Sequence, residues 1–202
     1  MISIVDYGLG NVQAFANIYK RLGVPCLIAQ KPEELTKANR IILPGVGSFD
    51  WAMEKLEKSG MRMTLDEMVL DKGVPVLGVC VGMQIMAQRS DEGNSLGLGW
   101  INAEVKRFEQ TEEKILRLPH MGWNDVTPLK SDKLFQNLND PRFYFLHSYY
   151  FSPHSPQLSL ASSRYEIDFT SAISERNIMG VQFHPEKSHH WGIQLLENFS
   201  EI

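Results

Sequence analysis

Short apolar runs alternate with amphipathic stretches through the first half of the chain. Apolar residues 2–5, 24–29 and 40–43 predict buried strands. Between the first two runs, apolar side chains recur at helical spacing up to Gly23, which predicts a helix ended by that glycine. Its inner face is Val12, Phe15, Ala16, Tyr19 and Leu22. Further helices are predicted after Ser48 and over residues 61–70, followed by a strand over 74–79. This alternation indicates a mostly parallel α/β sheet.

After Gly99 the pattern changes to short alternating or aromatic runs. Strands joined by turns are predicted over residues 100–108, 114–118, 142–151, 158–165, 169–175 and 178–183. One short helix is predicted over 132–138 and a final one over 190–199. Residues 1–202 contain no internal repeat or linker and are few for two domains. We therefore expect a single α/β domain with added antiparallel strands.

Composition narrows the function classes. The chain is 43% hydrophobic with a net charge of −4, which is typical of a soluble globule and argues against a non-specific nucleic-acid surface. The sequence shows neither a membrane span nor a secretory leader, so we expect no membrane partner and a cytoplasmic location. Only Cys26 and Cys80 could form a disulfide, and reduced thiols are favoured.

The stretch 76–84 carries the clearest chemical signal. An apolar strand leads to Cys80, which stands between Gly78 and Gly82, and a helix is expected to follow. This is the thiol counterpart of the G-x-S-x-G elbow, in which a sharp strand-to-helix turn presents a nucleophile. The positive end of a helix at this point would favour the thiolate. A lone cysteine on a strand is usually a small buried hydrophobe, as expected for Cys26, but the two glycines favour a nucleophile here.

A base and its orienting carboxylate follow about a hundred residues later. His184 and Glu186 flank Pro185 after an apolar strand, and in extended backbone residues two apart point the same way. Glu186 can therefore hold the His184 ring. Cys80, His184 and Glu186 together form a candidate nucleophilic triad.

The loop Pro44-Gly45-Val46-Gly47 is a second candidate element of this site. Its glycines make a tight strand-to-helix turn and also allow backbone N–H groups to face a ligand. In elbow hydrolases the oxyanion hole combines the N–H after the nucleophile with one from a neighbouring loop. Here these would be the N–H of Val81 and that of Gly45 or Val46.

Two other classes of site are not expected. Gly8 and Gly10 lack the third glycine of a dinucleotide fingerprint, because Gln13 stands in its place, and no phosphate loop occurs. No nucleotide cofactor is therefore expected. His184, His189 and His190 lack further spaced ligands, so no metal is expected, and the last two are interpreted as surface residues. His147 and Ser148 interrupt an apolar run, so they need buried partners or face a ligand.

With these motifs in place, the chain resembles the class I (triad) glutamine amidotransferases, and more narrowly the glutaminase subunits of imidazole glycerol phosphate synthase. The resemblance is carried by residues 6–11, 43–49, 78–84, 119–124, 147–149 and 184–188, in family order. It implies a flavodoxin-like class I glutamine amidotransferase fold over residues 1–202. It also implies that Cys80 attacks glutamine, with Val46 and Val81 at the oxyanion hole.

The same resemblance assigns further residues. Substrate-binding positions correspond to Gly45, Gly47, Gln84, His147, Ser148 and Tyr149. Positions at a subunit interface or gate correspond to Asn11, Trp123, Tyr144 and Lys187. The implied partner is a (β/α)₈-barrel cyclase subunit of histidine biosynthesis, which forms a heterodimer with the glutaminase and receives ammonia through a channel.

Three alternatives remain open on the sequence. A paralogue could supply ammonia to a partner that aminates a sugar for surface-polysaccharide synthesis, with the glutaminase chemistry unchanged. A free-standing cysteine hydrolase of similar fold would turn over at full rate alone. A non-catalytic binding protein would fail to react with thiol-directed glutamine analogues.

Overall fold

A computed structural model describes residues 1–109 and 116–202 of the chain. The strands are β1 Ile2–Val5, β2 Cys26–Ala29, β3 Arg40–Gly45, β4 Val76–Cys80, β5 Arg89–Ser90, β6 Ala103–Arg107, β7 His120–Asp125, β8 Thr127–Pro128, β9 Arg142–His147, β10 Tyr149–Pro153, β11 Ser159–Tyr165, β12 Ile167–Glu175 and β13 Ile178–Val181. The helices are α1 Val12–Leu22, α2 Pro32–Leu35, α3 Phe49–Lys58, α4 Arg62–Asp66, α5 Val81–Gln84 and α6 His189–Glu201.

The main sheet has a parallel half and an antiparallel half. Strands β2, β1, β3, β4 and β13 lie side by side and parallel, in the order 2-1-3-4-5 of flavodoxin-like sheets. Beyond β13 the order continues through β12, β10 and β6, with antiparallel pairing from β13 to β6, and ends at β5. The predicted parallel α/β sheet with added antiparallel strands is confirmed.

The first helix shows why the hydrophobic pattern was informative there. Asn11 accepts a hydrogen bond from the backbone N–H of Ala14, and Gly23 ends the helix in the left-handed conformation. Phe15 and Tyr19 are fully buried against the sheet.

The start of α3 is stabilised from outside the helix. Ser48 precedes α3 but makes no capping bond with its side chain. Glu92 accepts from the N–H of Phe49 instead, at 2.8 Å.

The second half departs from its predictions in several places. The run 142–151 is not one strand: it breaks at Ser148, so that β9 pairs with β7 in a separate two-stranded sheet while β10 joins the main sheet. The helix predicted over 132–138 shrinks to a single 3₁₀ turn, Lys133–Phe135. The strand predicted over 114–118 begins outside the described residues, and residues 116–118 form no strand.

The two-stranded sheet of β7 and β9 packs beside the last strand of the parallel half. Phe143 of β9 stacks on Phe183, which follows β13, with ring centroids 3.9 Å apart. Both rings are fully buried. The backbone N–H of His184 also donates to the carbonyl of Tyr144 at 2.8 Å. These contacts fix β9 against the carboxyl end of β13. Among the described residues, no helix is long and apolar enough to cross a membrane.

Candidate active site

Cys80 occupies the sharp turn between β4 and α5. Its backbone adopts φ 54° and ψ −114°, a conformation that L-residues rarely adopt. The residue is buried, and its register partner in the neighbouring parallel strand is Gly45. A strained turn of this kind, at the carboxyl end of a central strand, is the elbow geometry predicted from the sequence.

Glycines allow the backbone to pack closely enough for this turn. A Cβ atom added to Gly82 would lie 1.9 Å from the carbonyl oxygen of Leu43, and one added to Gly78 would lie 2.7 Å from the Cα of Met83. At Gly45 it would lie 2.4 Å from the backbone nitrogen of Gly82. A larger residue at Gly45 or Gly82 would push the elbow away from β3, and one at Gly78 would push α5 away from β4. The steric interpretation of Gly78 and Gly82 therefore holds.

The helix after the nucleophile is shorter than the elbow pattern suggests. Helix α5 contains only four residues, and 3₁₀-type hydrogen bonds from Met86 and Ala87 continue the turn. A single turn has few aligned peptide dipoles, so the predicted contribution of a helix terminus to thiolate stability is small. Stabilisation of a thiolate here depends on neighbouring side chains instead.

His184 and Glu186 form a buried pair beside the sulfur. The Nδ1 atom of His184 lies 2.8 Å from Oε1 of Glu186, and both side chains are under 5% exposed. Pro185 starts a 3₁₀ turn that brings the carboxylate back toward the ring. Because Glu186 accepts at Nδ1, the Nε2 atom of the ring is available to the thiol.

The electrostatics of His184 connect the three side chains. Burial alone would lower the pKa of His184, but the charge and hydrogen bond of Cys80, and then those of Glu186, raise it well above its ordinary value. The imidazole is therefore hydrogen-bonded to the carboxylate on one side and close enough to the thiol on the other for Cys80 to stabilise its charge. The structure brings the predicted Cys80, His184 and Glu186 together.

A cavity of about 280 Å³ opens over the sulfur. Its walls include many residues singled out in the sequence. These are Val46, Gly47, Cys80, Val81, Gln84, His147, Ser148, Tyr149, His184 and Lys187. Gly45 is not among the lining residues and packs against the backbone of Val81 and Gly82. Leu146, Pro119 and Glu92 complete the lining. A cavity of this size suits a small molecule such as an amino acid.

A buried tyrosine supports the loop that carries Val46. The hydroxyl of Tyr7 donates to the carbonyl of Pro44 at 2.8 Å. Burial, and then the nearby Cys80, raise the pKa of Tyr7, so its phenol stays a neutral donor. On the other side, a Cβ on Gly10 would meet Pro44 at 2.8 Å. The segment 6–11 therefore positions the loop rather than binding a dinucleotide.

Two buried histidines and a backbone carbonyl form a second hydrogen-bonded set; we call His120, His147 and Tyr149 the histidine wall. His147 and Tyr149 line the cavity, and His120 supports His147. The Nδ1–H of His147 donates to the carbonyl of Tyr149 at 2.8 Å, which leaves Nε2 as an acceptor for Nδ1–H of His120 at 2.9 Å. Asn124 lies 3.2 Å from the other nitrogen of His120. Burial lowers the pKa of His147 to about 3 and that of His120 to about 4. Both rings are therefore neutral.

Three of the four predicted interface residues come together on the outside of β7 and β9. Trp123 is 38% exposed, stacks on His189 at 5.2 Å and meets Tyr144 edge-on at 6.4 Å. The Nζ atom of Lys187 lies 5.8 Å from the Tyr144 ring, and Lys187 also lines the cavity. Asn11 is exposed as the cap of α1, apart from these contacts. His189 and His190 are surface residues, as predicted.

Several site residues carried no assigned role in the sequence analysis. Tyr7 and His120 lie within motifs that carry the resemblance, and Gln182 lies within the predicted strand 178–183, but their function depends on which neighbours the fold supplies. Glu92 lies in a loop after β5, and no catalytic or substrate-binding role was predicted for it. Cys26 is a partly buried thiol packed against the core, as expected, and both cysteines are free. In residues 1–109 and 116–202, no group of three or more side chains could hold a metal ion.

Comparison with known proteins identifies the family. Residues 3–201 match the glutamine amidotransferase class-I model. The chain is 56% identical to the imidazole glycerol phosphate synthase subunit HisH of Bdellovibrio bacteriovorus and 50% identical to that of Leptospira interrogans, in each case over the whole of both chains. A solved glutamine amidotransferase superimposes with a TM-score of 0.77 at 18% identity, covering 100% of this chain and 99% of its own. The chain therefore belongs to the class-I glutamine amidotransferase family and, within it, to the HisH subunits of imidazole glycerol phosphate synthase.

Proposed function

We propose that residues 1–202 act as a single glutaminase domain, in which Cys80, His184 and Glu186 hydrolyse glutamine to glutamate and ammonia. The observation that carries the proposal is the buried thiol–imidazole–carboxylate arrangement at the floor of an amino-acid-sized cavity. Full-length identity to HisH subunits supports the same activity. No step requires a metal or an organic cofactor.

The reaction follows from the position of each group. The Cys80 thiolate attacks the side-chain amide carbon of glutamine and forms a C–S bond, while negative charge collects on the amide oxygen. The N–H groups of Val46 and Val81 are the proposed donors to that oxygen, each worth roughly 10²–10³ in rate. His184 gives its proton to the nitrogen as the C–N bond breaks, and ammonia leaves. His184 then takes a proton from water, which hydrolyses the thioester and regenerates the thiol.

The cavity offers groups for both ends of glutamine's amino-acid moiety. Glu92 is half-buried at the cavity wall, and its carboxylate suits the α-ammonium group. Gln84, Gly47 and the segment His147–Tyr149 supply amide and backbone groups suited to the α-carboxylate. The Nε2–H of Gln84 donates to the carbonyl of Tyr149 at 3.0 Å, so Gln84 is already held in place. These assignments complete the proposed substrate site.

A partner subunit follows from the chemistry of the product. Ammonia released into water at neutral pH mostly becomes ammonium, which is not nucleophilic. We infer that the chain docks on a (β/α)₈-barrel cyclase of histidine biosynthesis in the cytoplasm and passes ammonia through a closed channel. The exposed aromatic face around Trp123 and Tyr144 suits such a contact, since aromatic residues dominate interface hot spots. Lys187 connects this face to the cavity.

Labelling with a chloroketone analogue of glutamine, with the cyclase present, tests the glutaminase proposal. We expect one modification per chain on Cys80, and we expect Cys80→Ala to lose labelling and at least about 10⁴-fold in glutamine turnover, as loss of a nucleophile does elsewhere. The Cys26→Ala variant serves as a thiol control and should keep both. Unchanged turnover in Cys80→Ala would contradict the proposal.

A further inference from the structure

Gln182 is a fully buried amide that contacts both Cys80 and Gln84, two residues that line the cavity. It is the first residue after β13, two positions before His184, and its exposed fraction is zero. Its Nε2 atom lies 3.8 Å from the sulfur of Cys80, within the range of N–H···S hydrogen bonds. Its Oε1 atom accepts from Nε2 of Gln84 at 3.1 Å. A buried polar side chain with two such partners has a defined orientation.

The neighbours of Gln182 determine which end of its amide faces the sulfur. Nε2 of Gln84 donates to two oxygens, the carbonyl of Tyr149 and Oε1 of Gln182, so the orientation of Gln84 is assigned by its acceptors. With its oxygen turned to Gln84, Gln182 must direct its NH₂ group at Cys80. The carbonyl of Tyr149 is held in turn by Nδ1–H of His147. The histidine wall therefore anchors a hydrogen-bond chain that ends at the nucleophile.

We propose that Gln182 is a further catalytic residue, whose amide N–H donates to the sulfur of Cys80 and stabilises the thiolate that attacks glutamine. The inference rests on the proposed function, because it assigns a second donor to the same nucleophile. A hydrogen bond to the charged form of a group favours that form. The short helix α5 gives little help, which leaves His184 and Gln182 as the side chains that stabilise negative charge on the sulfur.

The pH profile of thiol alkylation by iodoacetamide, followed separately for the Cys80 and Cys26 peptides by mass spectrometry, tests this role. Gln182→Met keeps the length of the side chain and removes the donor. We expect the midpoint of Cys80 alkylation to rise by about one pH unit, so that its rate at low pH falls about tenfold. Gln182→Glu retains an acceptor for Gln84 and adds negative charge near the sulfur, so its midpoint should rise further.

The controls separate a change at the thiol from damage to the fold. Asn198 is another buried amide, which donates to the carbonyls of Leu134 and Gln136 away from the cavity. Asn198→Leu should lower thermal stability and leave the Cys80 profile unchanged. In every variant the Cys26 profile should stay as in the wild type, since Cys26 contacts the carbonyl of Ala16 instead.

Two failures would be distinguishable. If wild-type Cys80 reacts no faster than Cys26 at neutral pH, the thiol is not activated and the proposed function fails with it. If wild-type Cys80 is fast, but Gln182→Met keeps its midpoint within about 0.2 pH unit, the role of Gln182 is overturned and the triad stands, whatever shift the added charge of Gln182→Glu produces.

Discussion

Two walls of one cavity place buried histidines in opposite electrostatic environments. The catalytic wall, formed by Cys80, His184 and Glu186, comes from the carboxyl ends of β4 and β13 in the parallel half. The histidine wall comes from β7, β9 and the start of β10. The pKa of His184 is raised, whereas the pKa of His147 is lowered to about 3, although both rings line the same cavity.

The partners of each ring explain the difference. His184 lies between a thiol and a carboxylate, which both gain from a positive ring. His147 is buried; its one carbonyl partner favours the charged ring, but nearby His120 and His184 disfavour it. Burial therefore does not decide the charge of a histidine by itself: the anionic or neutral character of its partners does. One wall holds a transferable proton, and the other is a fixed neutral scaffold.

The catalytic wall gives the largest expected effect. His184→Ala removes the proposed proton carrier, and we expect a loss of kcat of roughly 10⁴-fold or more in the presence of the proposed cyclase partner. Glu186→Gln keeps the shape of the side chain but weakens its hydrogen bond to the His184 ring. Its loss of kcat should therefore be roughly tenfold to a hundredfold smaller than that of His184→Ala. Steady-state glutamine hydrolysis measures both. Equal losses would mean that the carboxylate does more than orient the ring.

Acid should lower the free energy of unfolding through the two buried rings of the histidine wall. The unfolded chain protonates His120 and His147 near pH 6.5, whereas their pKa values in the folded protein are about 4 and about 3. Each of these two rings therefore lowers stability as pH falls below about 6.5, by up to about 1.4 kcal/mol per pH unit. The raised pKa of His184 acts in the opposite direction, but its contribution levels off below about pH 6.5 and leaves a net loss. Urea unfolding at pH 7, 6 and 5 measures this slope.

A matched variant sharpens the acid experiment. His190 is an exposed histidine at the start of α6, so His190→Ala should leave the slope between pH 7 and 5 unchanged. His147→Gln should reduce the slope, because one of the two rings is gone. A wild-type unfolding free energy that stays constant from pH 7 to 5 would contradict the assignment of two neutral buried rings.

The smallest expected effect concerns the outer face of the strand that carries His120. Successive side chains of β7 point to opposite faces, so Trp123 faces away from the histidine wall. Trp123→Ala should weaken binding to the proposed cyclase partner several-fold, while the melting temperature of the isolated chain changes by only about 2 °C. Leu129→Ala, another exposed apolar residue, is the control. A large loss of stability in the isolated chain would show that Trp123 belongs to the core.

The parallel half was predictable because its pattern is local. Its strands are short, mostly apolar runs, and α1 shows helical spacing with a clear stop at Gly23. The antiparallel half depends on long-range pairing. The aromatic run 142–151 is predicted as one strand from its sequence. In the structure the chain breaks at Ser148, and the two halves belong to different sheets. Strand β7 was missed because Gly122 and polar residues interrupt its pattern.

The residues of the candidate active site also divide into those with a local sequence pattern and those that depend on long-range contacts. Cys80, with Gly78 and Gly82, is a local motif, and so is the spacing of His184 and Glu186, so both could be read from residue types. Gln182 and His120 act through partners that lie 98 and 27 residues away. No local pattern reveals such pairs. The roles of Val46, Val81 and Lys187 remain predictions, now with positions at the cavity that make them testable.

The contact between Gly82 and the carbonyl of Leu43 has a consequence for how such a protein can diversify. A methyl group on Gly82 would lie 1.9 Å from that oxygen. The position of the Cys80 sulfur is therefore fixed by backbone packing between the elbow and β3. Side chains on the rim and on the aromatic face can then change without displacing the reactive atom. Related proteins could therefore change the partner enzyme that receives the ammonia and still keep the same catalytic site.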